Sequence, residues 1–361
     1  MEKGQILKRK IAIIIPSLSG GGAEKVMVNI IRNLDKDKFD VRLILIKKEG
    51  PYLKLIPDNV TLVDLKSDRV RYSIVKLVKQ LNDFRPDVIL STLGHLNLAL
   101  LAIRPLLKGN PKIIVREANT PSKSILKRKK LFSYLYQHLY PKADLIIAQC
   151  QDMKSDIIKS FKVDEKKIKY IYNPLDIDKI RSNMKNENPY NENMLNILSV
   201  GRLTSQKGFD ILINSFKFVL EKYPNAHLTI LGEGILKMEL QEQAKKLGIG
   251  KKLSFVDFVD NPYPYYYFAD TYVLSSRFEG FPNTLLEALA CGTKVVATNC
   301  KSGPREILEE NKYGILVEED NVESLAKGII KVISEENKTS DRADYFSVNK
   351  IIKEYEAILL S

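Results

Sequence analysis

Tryptophan is missing from this 361-residue chain, and cysteine and histidine occur three times each. Cys150, Cys291 and Cys300 are odd in number and do not have the spacing of metal ligands, so we expect neither a disulfide framework nor a cysteine zinc site. This cysteine usage is typical of a reduced, cytoplasmic protein. No stretch approaches the roughly 20 apolar residues of a membrane-spanning helix, and residues 1–19 do not have the layout of a secretory signal.

The charged residues are unevenly distributed along the chain. Residues 1–180 contain 35 Lys and Arg against 19 Asp and Glu, whereas the remainder is slightly acidic. Such asymmetry indicates an anionic partner for the first half. No zinc-finger spacing, basic zipper or RNA-recognition signature is found in the sequence, so we predict no nucleic-acid partner.

The densest basic segment, residues 122–140, combines cations with large apolar side chains. Its cations are Lys123, Lys127, Arg128, Lys129 and Lys130, and they are followed by Leu131, Phe132, Tyr134, Leu135 and Tyr136. Basic residues beside leucine and aromatic residues suit the surface of an anionic bilayer. A solvated basic loop in front of a core-packing helix explains the same pattern equally well, so the sequence leaves both interpretations open.

Short runs of Val, Ile and Leu alternate with helical patterns along the whole chain. A first series of strands is predicted at 11–15, 41–46, 88–90, 113–115, 145–148 and 168–171. A second series is predicted at 195–200, 228–231, 253–255, 271–275, 294–297 and 314–317. Helices are predicted at 24–34, 72–84, 96–107 and 153–161. Continuous apolar strands separated by helices indicate parallel sheets that are covered on both faces.

We therefore predict an α/β protein with two doubly wound, Rossmann-like domains that face a central cleft, where ligands bind. The domains are expected at residues 1–180 and 195–345. Residues 181–194 contain five asparagines and few apolar residues, which is typical of a linker. Residues 346–361 form a periodic C-terminal helix that the sequence allows to pack on either domain, including back on the first.

Three glycines, Gly20, Gly21 and Gly22, lie between the first strand and the first helix. Amide groups at a helix N-terminus favour a phosphate or a close sugar contact, although a tight turn alone also accounts for the glycines. The dinucleotide signature G-x-G-x-x-G is not met.

Two cations lie on the loop that follows the first strand of the second series, in the stretch VGRLTSQKGF at residues 200–209. Arg202 leaves the strand end, and Lys207 stands at the start of the next helix. Arginine as a fork and lysine as a point charge can converge on one diphosphate. Two unrelated surface cations are the alternative.

The strongest pattern is SSRFEGFPNTLLEA at residues 275–288. Its carboxylates Glu279 and Glu287 flank a turn, and a helix is predicted to begin at residue 283. The free amides of that helix would face a phosphate. Ionised carboxylates only accept hydrogen bonds and so suit hydroxyl-rich ligands. Glu279 is therefore expected to hold a sugar and Glu287 a second polyol such as a ribose.

Together, GGGAEK after the first strand, GRLTSQKG after the linker and EGFPNTLLE in the second half resemble the retaining glycosyltransferases of family four. That family has the two-Rossmann GT-B architecture. The resemblance covers essentially the whole chain, including YNPLD at residues 172–176 and the segment at residues 255–261. These motifs are specific for the family but not for the sugar.

The resemblance implies a role for each matched residue. Arg202 and Lys207 match the pair that neutralises the donor diphosphate, and Glu279 matches the acid that holds the transferred sugar. Glu287 matches the acid that binds the ribose. The other matched positions are Gly21 and Gly22 in a loop that closes on the donor and acceptor, Phe258 where the base lies, and Phe281, Pro282, Asn283 and Thr284 in the turn that meets sugar and phosphate.

The first half departs from the family pattern where many members have a histidine. The segment VREANTP at residues 115–121 has Glu117 near that position, and His95 is a second candidate, so both enter the expected catalytic set. This departure resembles the lipid-linked-oligosaccharide branch of the family. Asp176 and Asp178 have the D-x-D form of metal-dependent enzymes, but they are predicted to form a turn and a helix cap. No metal or cofactor is expected.

The sequence thus predicts a metal-independent retaining glycosyltransferase. It would move a hexose or N-acetylhexosamine from a nucleoside-diphosphate sugar, with UDP favoured, to a glycan acceptor, expected to be polyprenyl-diphosphate-linked, at the inner membrane face. Such a reaction belongs to cell-surface polysaccharide or glycoconjugate biosynthesis. A UDP-sugar epimerase of the same architecture and a non-catalytic membrane- or anion-binding protein are the alternatives.

Overall fold

The computed structural model describes residues 7–124, 129–335 and 341–361. The chain divides into two compact units, one formed by Met1–Pro174 with Val348–Ser361 and the other by Leu175–Ser347. The boundary precedes the residue 180 expected from the sequence, because Leu175 already belongs to the second unit. Its amide donates to the carbonyl of Phe346 at 2.9 Å, and it forms a parallel bridge with Ser347.

The first unit contains a seven-stranded parallel sheet with the strand order β3-β2-β1-β4-β5-β6-β7 in its described part. The strands β1 and β2 are rich in Val, Ile and Leu, and Ile11 to Ile15 are fully buried because helices cover both faces of the sheet. The strands are β1 Arg9–Ile15, β2 Phe39–Leu45, β3 Thr61–Asp64, β4 Val88–Thr92, β5 Lys112–Arg116, β6 Leu145–Ala148 and β7 Ile168–Tyr170. The helices that follow them are α1 Gly22–Asn33, α2 Val70–Phe84, α3 Gly94–Ile103, α4 Pro121–Ser124, α5 Lys129–Leu139 and α6 Gln151–Phe161.

The second unit repeats this arrangement with a six-stranded parallel sheet in the order β10-β9-β8-β11-β12-β13 among its described residues. Its strands are β8 Leu195–Val200, β9 Ala226–Leu231, β10 Leu253–Val256, β11 Thr271–Leu274, β12 Val295–Thr298 and β13 Ile315–Val317. Its helices are α7 Ile177–Asn183, α8 Phe209–Lys222, α9 Lys237–Lys246, α10 Tyr263–Tyr267, α11 Asn283–Ala290, α12 Pro304–Leu308 and α13 Val322–Ser334. The predicted fold class, α/β with two doubly wound parallel sheets, is confirmed.

The last helix, α14 Val348–Leu360, belongs to the first unit and packs on α1. Tyr355 and Leu359 of this helix are fully buried in the first core. Two cations satisfy carbonyl groups at its C-terminal end, since Arg9 donates to Leu360 at 2.7 Å and Lys112 donates to Ile358 at 3.0 Å. Cations at this end also complement the helix dipole.

The segment predicted as a linker, residues 181–194, is partly helical and packs on the second unit. Its first three residues complete α7, whose N-cap Asp176 accepts a hydrogen bond from the amide of Lys179, as the interpretation of Asp176 as a cap required. Farther along, the hydroxyl of Tyr190 donates to the carbonyl of Tyr265 at 2.8 Å. The composition of this segment is typical of a linker, but the contact of Tyr190 holds it against the second unit.

Each sheet has one place where the strand order reverses. In the first unit β1 lies beside β4, and in the second β8 lies beside β11. Doubly wound sheets bind ligands at the carboxyl ends of the strands at such a switch point. A ligand site is therefore expected among the residues that follow β1, β4, β8 and β11.

None of the helices in the described ranges is both long and apolar enough to cross a bilayer.

Candidate active site

An ion pair lies at the switch point of the second sheet. Lys207, in the loop after β8, donates from Nζ to Oε1 of Glu279, in the loop after β11, at 2.6 Å. The two side chains are only 15% and 8% exposed, so the contact is largely shielded from solvent. The methylene groups of Lys207 pack over Gly201, and Ser276 donates a second hydrogen bond to Oε1 of Glu279 at 2.6 Å. The structure thus brings together two residues that the sequence separates by 72 positions.

Gly208 determines how closely the two loops approach. It has φ +63°, and a Cβ placed there would lie 2.1 Å from the carbonyl oxygen of Ser275. The hydroxyl of Ser275 in turn donates to the carbonyl of Lys207 at 2.8 Å. A residue with a side chain would be strained at this φ and would also push the loops apart.

The turn after Glu279 leads directly into α11. Phe281 is buried and its ring packs edge-on against Phe346 at 5.4 Å, while Pro282 is the N-cap of the helix. Gly303, with φ +98°, lies against this turn, and a Cβ there would come 2.7 Å from Cδ of Pro282. The helix begins at Asn283, four residues after Glu279, and the carbonyl of its N-cap Pro282 accepts hydrogen bonds from the amides of Leu285 and Leu286 at 3.1 and 3.4 Å.

Glu287 is buried inside α11 at 4% exposure. The hydroxyl of Tyr266 donates to Oε2 of Glu287 at 3.2 Å, and burial, together with the charge of Glu287, raises the pKa of that tyrosine. Thr284, one turn earlier, accepts a hydrogen bond from the hydroxyl of Tyr272 at 2.8 Å. Two tyrosines therefore fix the first turns of α11 from behind.

Two further residues that were predicted to bind the nucleotide-sugar donor are exposed at the carboxyl ends of strands in the same sheet. Arg202 is exposed. Phe258 is 43% exposed, and its amide donates to Oε1 of Glu233 at 3.2 Å. Exposed arginine and phenylalanine side chains that follow strands of the same sheet are available to contact a ligand.

In the first unit, the glycines after β1 lie against a carboxylate. Gly21 is the N-cap of α1, and the carboxylate of Glu24 occupies the space where a Cβ of Gly21 would be, with Oε2 at 2.1 Å from that position. A glutamate at the third helical position commonly reaches back to the N-cap. Gly22 is the first residue of the helix. The expected phosphate contact at Gly21 and Gly22 stays a prediction, and the nearby carboxylate favours hydroxyl groups over anions at this end of α1.

His95 follows β4, the other strand at this switch point. It lies in the first turn of α3 and is exposed, although partial burial lowers its pKa. The residue that starts this turn, Leu93, has φ +76°, which is unusual for a leucine. Strained backbone of this kind clusters at functional sites.

Glu117, at the end of β5, is enclosed by its own unit at 2% exposure. Its Oε1 accepts hydrogen bonds from Asn97 at 3.3 Å, from Tyr136 at 3.4 Å and from the hydroxyl of Tyr140. Burial raises the pKa of Glu117 to about 8, against the opposing effect of the hydrogen bonds from Asn97 and Tyr136 and of the positive charge of Arg116. The carboxyl group is not open to a substrate in this structure, and the assignment of Glu117 to the catalytic set stays a prediction.

Some residues around the site carry no sequence signal of their own. Ser276, Tyr266 and Glu233 contact predicted site residues, but serine, tyrosine and glutamate are common in any sequence. Only the position of Ser276, between the end of β11 and Glu279, could have drawn attention to it. Lys127 and Arg128, predicted to face a membrane, lie outside the described residues.

Comparison with known proteins identifies the family and the fold. The model of glycosyl transferases group 1 matches residues 180–347, and that of glycosyltransferase family 4 matches residues 20–179. The structure of Anabaena HepE in complex with UDP and glucose superposes with a TM-score of 0.81 at 20% identity, covering 97% of this chain and 99% of HepE. The structure of TarM superposes with a TM-score of 0.80 at 13% identity, over 99% and 100% of the two chains.

Two curated relatives are similar in sequence. An uncharacterized glycosyltransferase of Methanocaldococcus jannaschii is 34% identical over 79% of this chain and 82% of its own length. The N-acetylgalactosamine-N,N'-diacetylbacillosaminyl-diphospho-undecaprenol 4-alpha-N-acetylgalactosaminyltransferase of Campylobacter jejuni is 31% identical over 98% of this chain and its own full length. The chain belongs to the group 1 and family 4 glycosyltransferases, and it has the GT-B type of fold.

Proposed function

We propose that the protein is a retaining transferase that moves a hexose or N-acetylhexosamine from a UDP-sugar to a lipid-linked glycan. The observation that carries this proposal is the buried pair of Lys207 and Glu279 beside the start of α11, at the switch point of the second sheet. A cation, a carboxylate and a helix N-terminus suit a diphosphate that is attached to a sugar.

The proposed chemistry is electrostatic. The bond between the anomeric carbon and the diphosphate oxygen breaks while the acceptor hydroxyl attacks the same face and gives its proton to the departing diphosphate. Lys207 and Arg202 stabilise the charge that develops on the diphosphate, and Glu279 binds sugar hydroxyls. With two cations and helix amides in these roles, the reaction needs no metal. Glu287 binds the ribose, and Phe258 lies beside the base.

The acceptor is proposed from relatives and from charge. The Campylobacter relative named above is an enzyme whose acceptor is a diphospho-undecaprenol. In the first unit, Tyr72 and Val75 of α2 are 63% and 81% exposed, and they share the exposed face of that helix with Arg71, Lys76 and Lys79. Exposed aromatic and aliphatic groups among cations suit a membrane that contains anionic lipids. The protein would thus act at the inner face of the cytoplasmic membrane.

A donor and product assay tests the reaction. Purified protein is incubated with a panel of UDP- and GDP-sugars, with and without a polyprenyl-diphosphate-linked glycan, and with and without EDTA. We expect UDP release that needs the acceptor and survives EDTA, and NMR of the product should show the anomeric configuration of the donor. Conversion of the UDP-sugar without acceptor would indicate an epimerase, and an inverted anomeric centre would contradict the retaining assignment.

A second assay tests the membrane. Co-sedimentation with vesicles of phosphatidylglycerol and phosphatidylcholine is compared for wild type and for charge reversal at Lys127, Arg128, Lys129 and Lys130. We expect weaker binding by the variant and unchanged UDP affinity. Equal sedimentation of the two proteins would exclude this segment as a membrane contact.

A further inference from the structure

Arg277 lies two residues before Glu279, and its guanidinium forms hydrogen bonds with three other residues. Its guanidinium contacts Asp210 with two parallel hydrogen bonds, of 2.9 Å from Nη1 and 2.6 Å from Nη2. Nη1 also donates to the carbonyl of Ser205 at 2.7 Å, and Nε donates to Asp320 at 2.7 Å. The side chain is 24% exposed, and these contacts engage its planar fork of donors in a way that lysine could not reproduce.

The charges of this cluster support one another. The hydrogen bonds and negative charge of Asp210, with the charge of Asp320, raise the pKa of Arg277 above its ordinary value. Burial alone would raise the pKa of Asp210, but the hydrogen bonds and charge of Arg277 outweigh it and lower that pKa. Both groups are therefore charged at neutral pH, and the pair is of the bidentate type that is strong as well as directional.

Every one of these contacts except that to Asp320 joins the loop after β11 either to the loop after β8, at Ser205, or to the first turn of α8, at Asp210. Backbone contacts do the same, because the amide of Arg277 donates to the carbonyl of Gln206 at 2.8 Å. The side chain of Gln206 returns a hydrogen bond to the carbonyl of Phe278 at 2.9 Å. Lys207 follows Gln206 directly, and Glu279 follows Phe278 directly. The residues that these hydrogen bonds join, Gln206 and Phe278, are thus the immediate neighbours of Lys207 and Glu279.

We propose that Arg277 is a positioning residue that holds Lys207 at the place where it meets the donor diphosphate. The inference rests on the proposed function of Lys207, and it assigns Arg277 no contact with the donor. Two other roles for Arg277 predict different results. If Arg277 only supplied positive potential, Arg277→Lys would keep the UDP affinity of wild type. If Arg277 only contributed to stability, its replacement would leave the UDP affinity of the folded protein unchanged.

A double-mutant cycle tests the inference by calorimetric titration with UDP. The proteins are wild type, Arg277→Lys, Lys207→Ala and the combination, each measured at a temperature well below its thermal midpoint. Arg305→Lys is the matched control, because this arginine lies on α12 of the same unit and pairs with Glu310 at 3.8 Å on the surface. Asp210→Asn removes the partner carboxylate and replaces Arg277→Lys in the cycle if the latter does not fold.

We expect Arg277→Lys to weaken UDP binding by about tenfold or more, because a displaced Lys207 would lose its charge-assisted contact with the diphosphate. In the Lys207→Ala background the same substitution should have almost no further effect, because the residue through which it acts is gone. Arg305→Lys should bind UDP as wild type does.

Three results would count against the inference. Unchanged UDP affinity in Arg277→Lys would overturn it while leaving the proposed function intact. An equally large loss in the Lys207→Ala background would also overturn it, since the effect would then not pass through Lys207. Failure of the wild-type protein to bind UDP would overturn the proposed donor and this inference together.

Discussion

At the scale of single residues, Glu117 shows how burial changes what a carboxylate does. Its pKa is raised from an ordinary value of 4.5 to about 8, mainly because the site excludes water. Between these two values the folded chain keeps a proton that the unfolded chain has released. The free energy of unfolding therefore falls as the pH rises from about 5 to 8.

Glu117→Gln should remove this dependence, because a neutral amide resembles the protonated acid. We expect the thermal midpoint of the variant to rise relative to wild type by at least about 3 °C between pH 5 and pH 8.5. Thermal unfolding followed by circular dichroism at a series of pH values measures this difference. Glu323→Gln, at a side chain that is 77% exposed, should show no such trend. A midpoint difference independent of pH would contradict a protonated Glu117.

The sequence predicted the arrangement of the candidate site residues more completely in the second unit than in the first. Arg202, Lys207, Glu279 and Glu287 follow strands and a turn whose order alone places them at one sheet edge. The environment of Glu117 could not be predicted in this way, because it depends on donors from α3 and α5 that are distant in sequence. For the same reason, the sequence predicted neither that the carboxylate of Glu24 packs against Gly21 nor that Arg277 joins two separate segments.

At the scale of elements, Gly208 is the residue on which the approach of two loops depends. Gly208→Ala adds a left-handed φ penalty and a contact of 2.1 Å with the Ser275 carbonyl, whereas Gly248→Ala, with φ +74°, meets nothing within 4 Å. We expect Gly248→Ala to cost about 1 kcal/mol and Gly208→Ala roughly two to three times as much. Urea unfolding of the two variants measures the comparison. Equal losses would show that the loops adjust without cost.

The strands illustrate what an element's own residues can predict. All strands of the second series and most of the first were predicted within two residues, because buried parallel strands are continuous runs of Val, Ile and Leu. Strand β3 was missed. It has only four residues, Thr61–Asp64, and lies at the sheet edge without a fully buried side chain, so its sequence has no such run.

At the scale of the whole molecule, the C-terminal helix returns to the first unit and is held there by a buried polar contact. The guanidinium of Arg116 is fully buried, and its Nε donates to the hydroxyl of Tyr355 in α14 at 3.1 Å. Asn173, at the point where the chain leaves this unit, accepts a second hydrogen bond from the same guanidinium at 2.5 Å. The side chain of Arg116 therefore contacts both Asn173, where the chain leaves the first unit, and Tyr355, on the helix with which it returns.

Tyr355→Phe would leave a buried guanidinium N–H without its acceptor. We expect a loss of about 1–3 kcal/mol in the free energy of unfolding and faster hydrogen exchange of the amides of α14. Hydrogen exchange with mass spectrometry measures the second effect locally. Tyr72→Phe, at a tyrosine that is 63% exposed, is the control and should change neither quantity. Unaltered exchange in α14 would show that the contact between Arg116 and Tyr355 does not hold the helix.

Titration of the purified protein with UDP tests the proposed donor site most directly. Wild type should bind, and Arg202→Ala and Lys207→Ala should each weaken binding by about tenfold or more, since charge-assisted hydrogen bonds contribute about 1.5–3 kcal/mol. Glu279→Gln should leave UDP affinity close to wild type because this residue is assigned to the sugar, and Lys246→Ala, at an exposed lysine of α9, should have no effect. If the wild type does not bind UDP, or if binding is indifferent to Arg202 and Lys207, the donor site lies elsewhere.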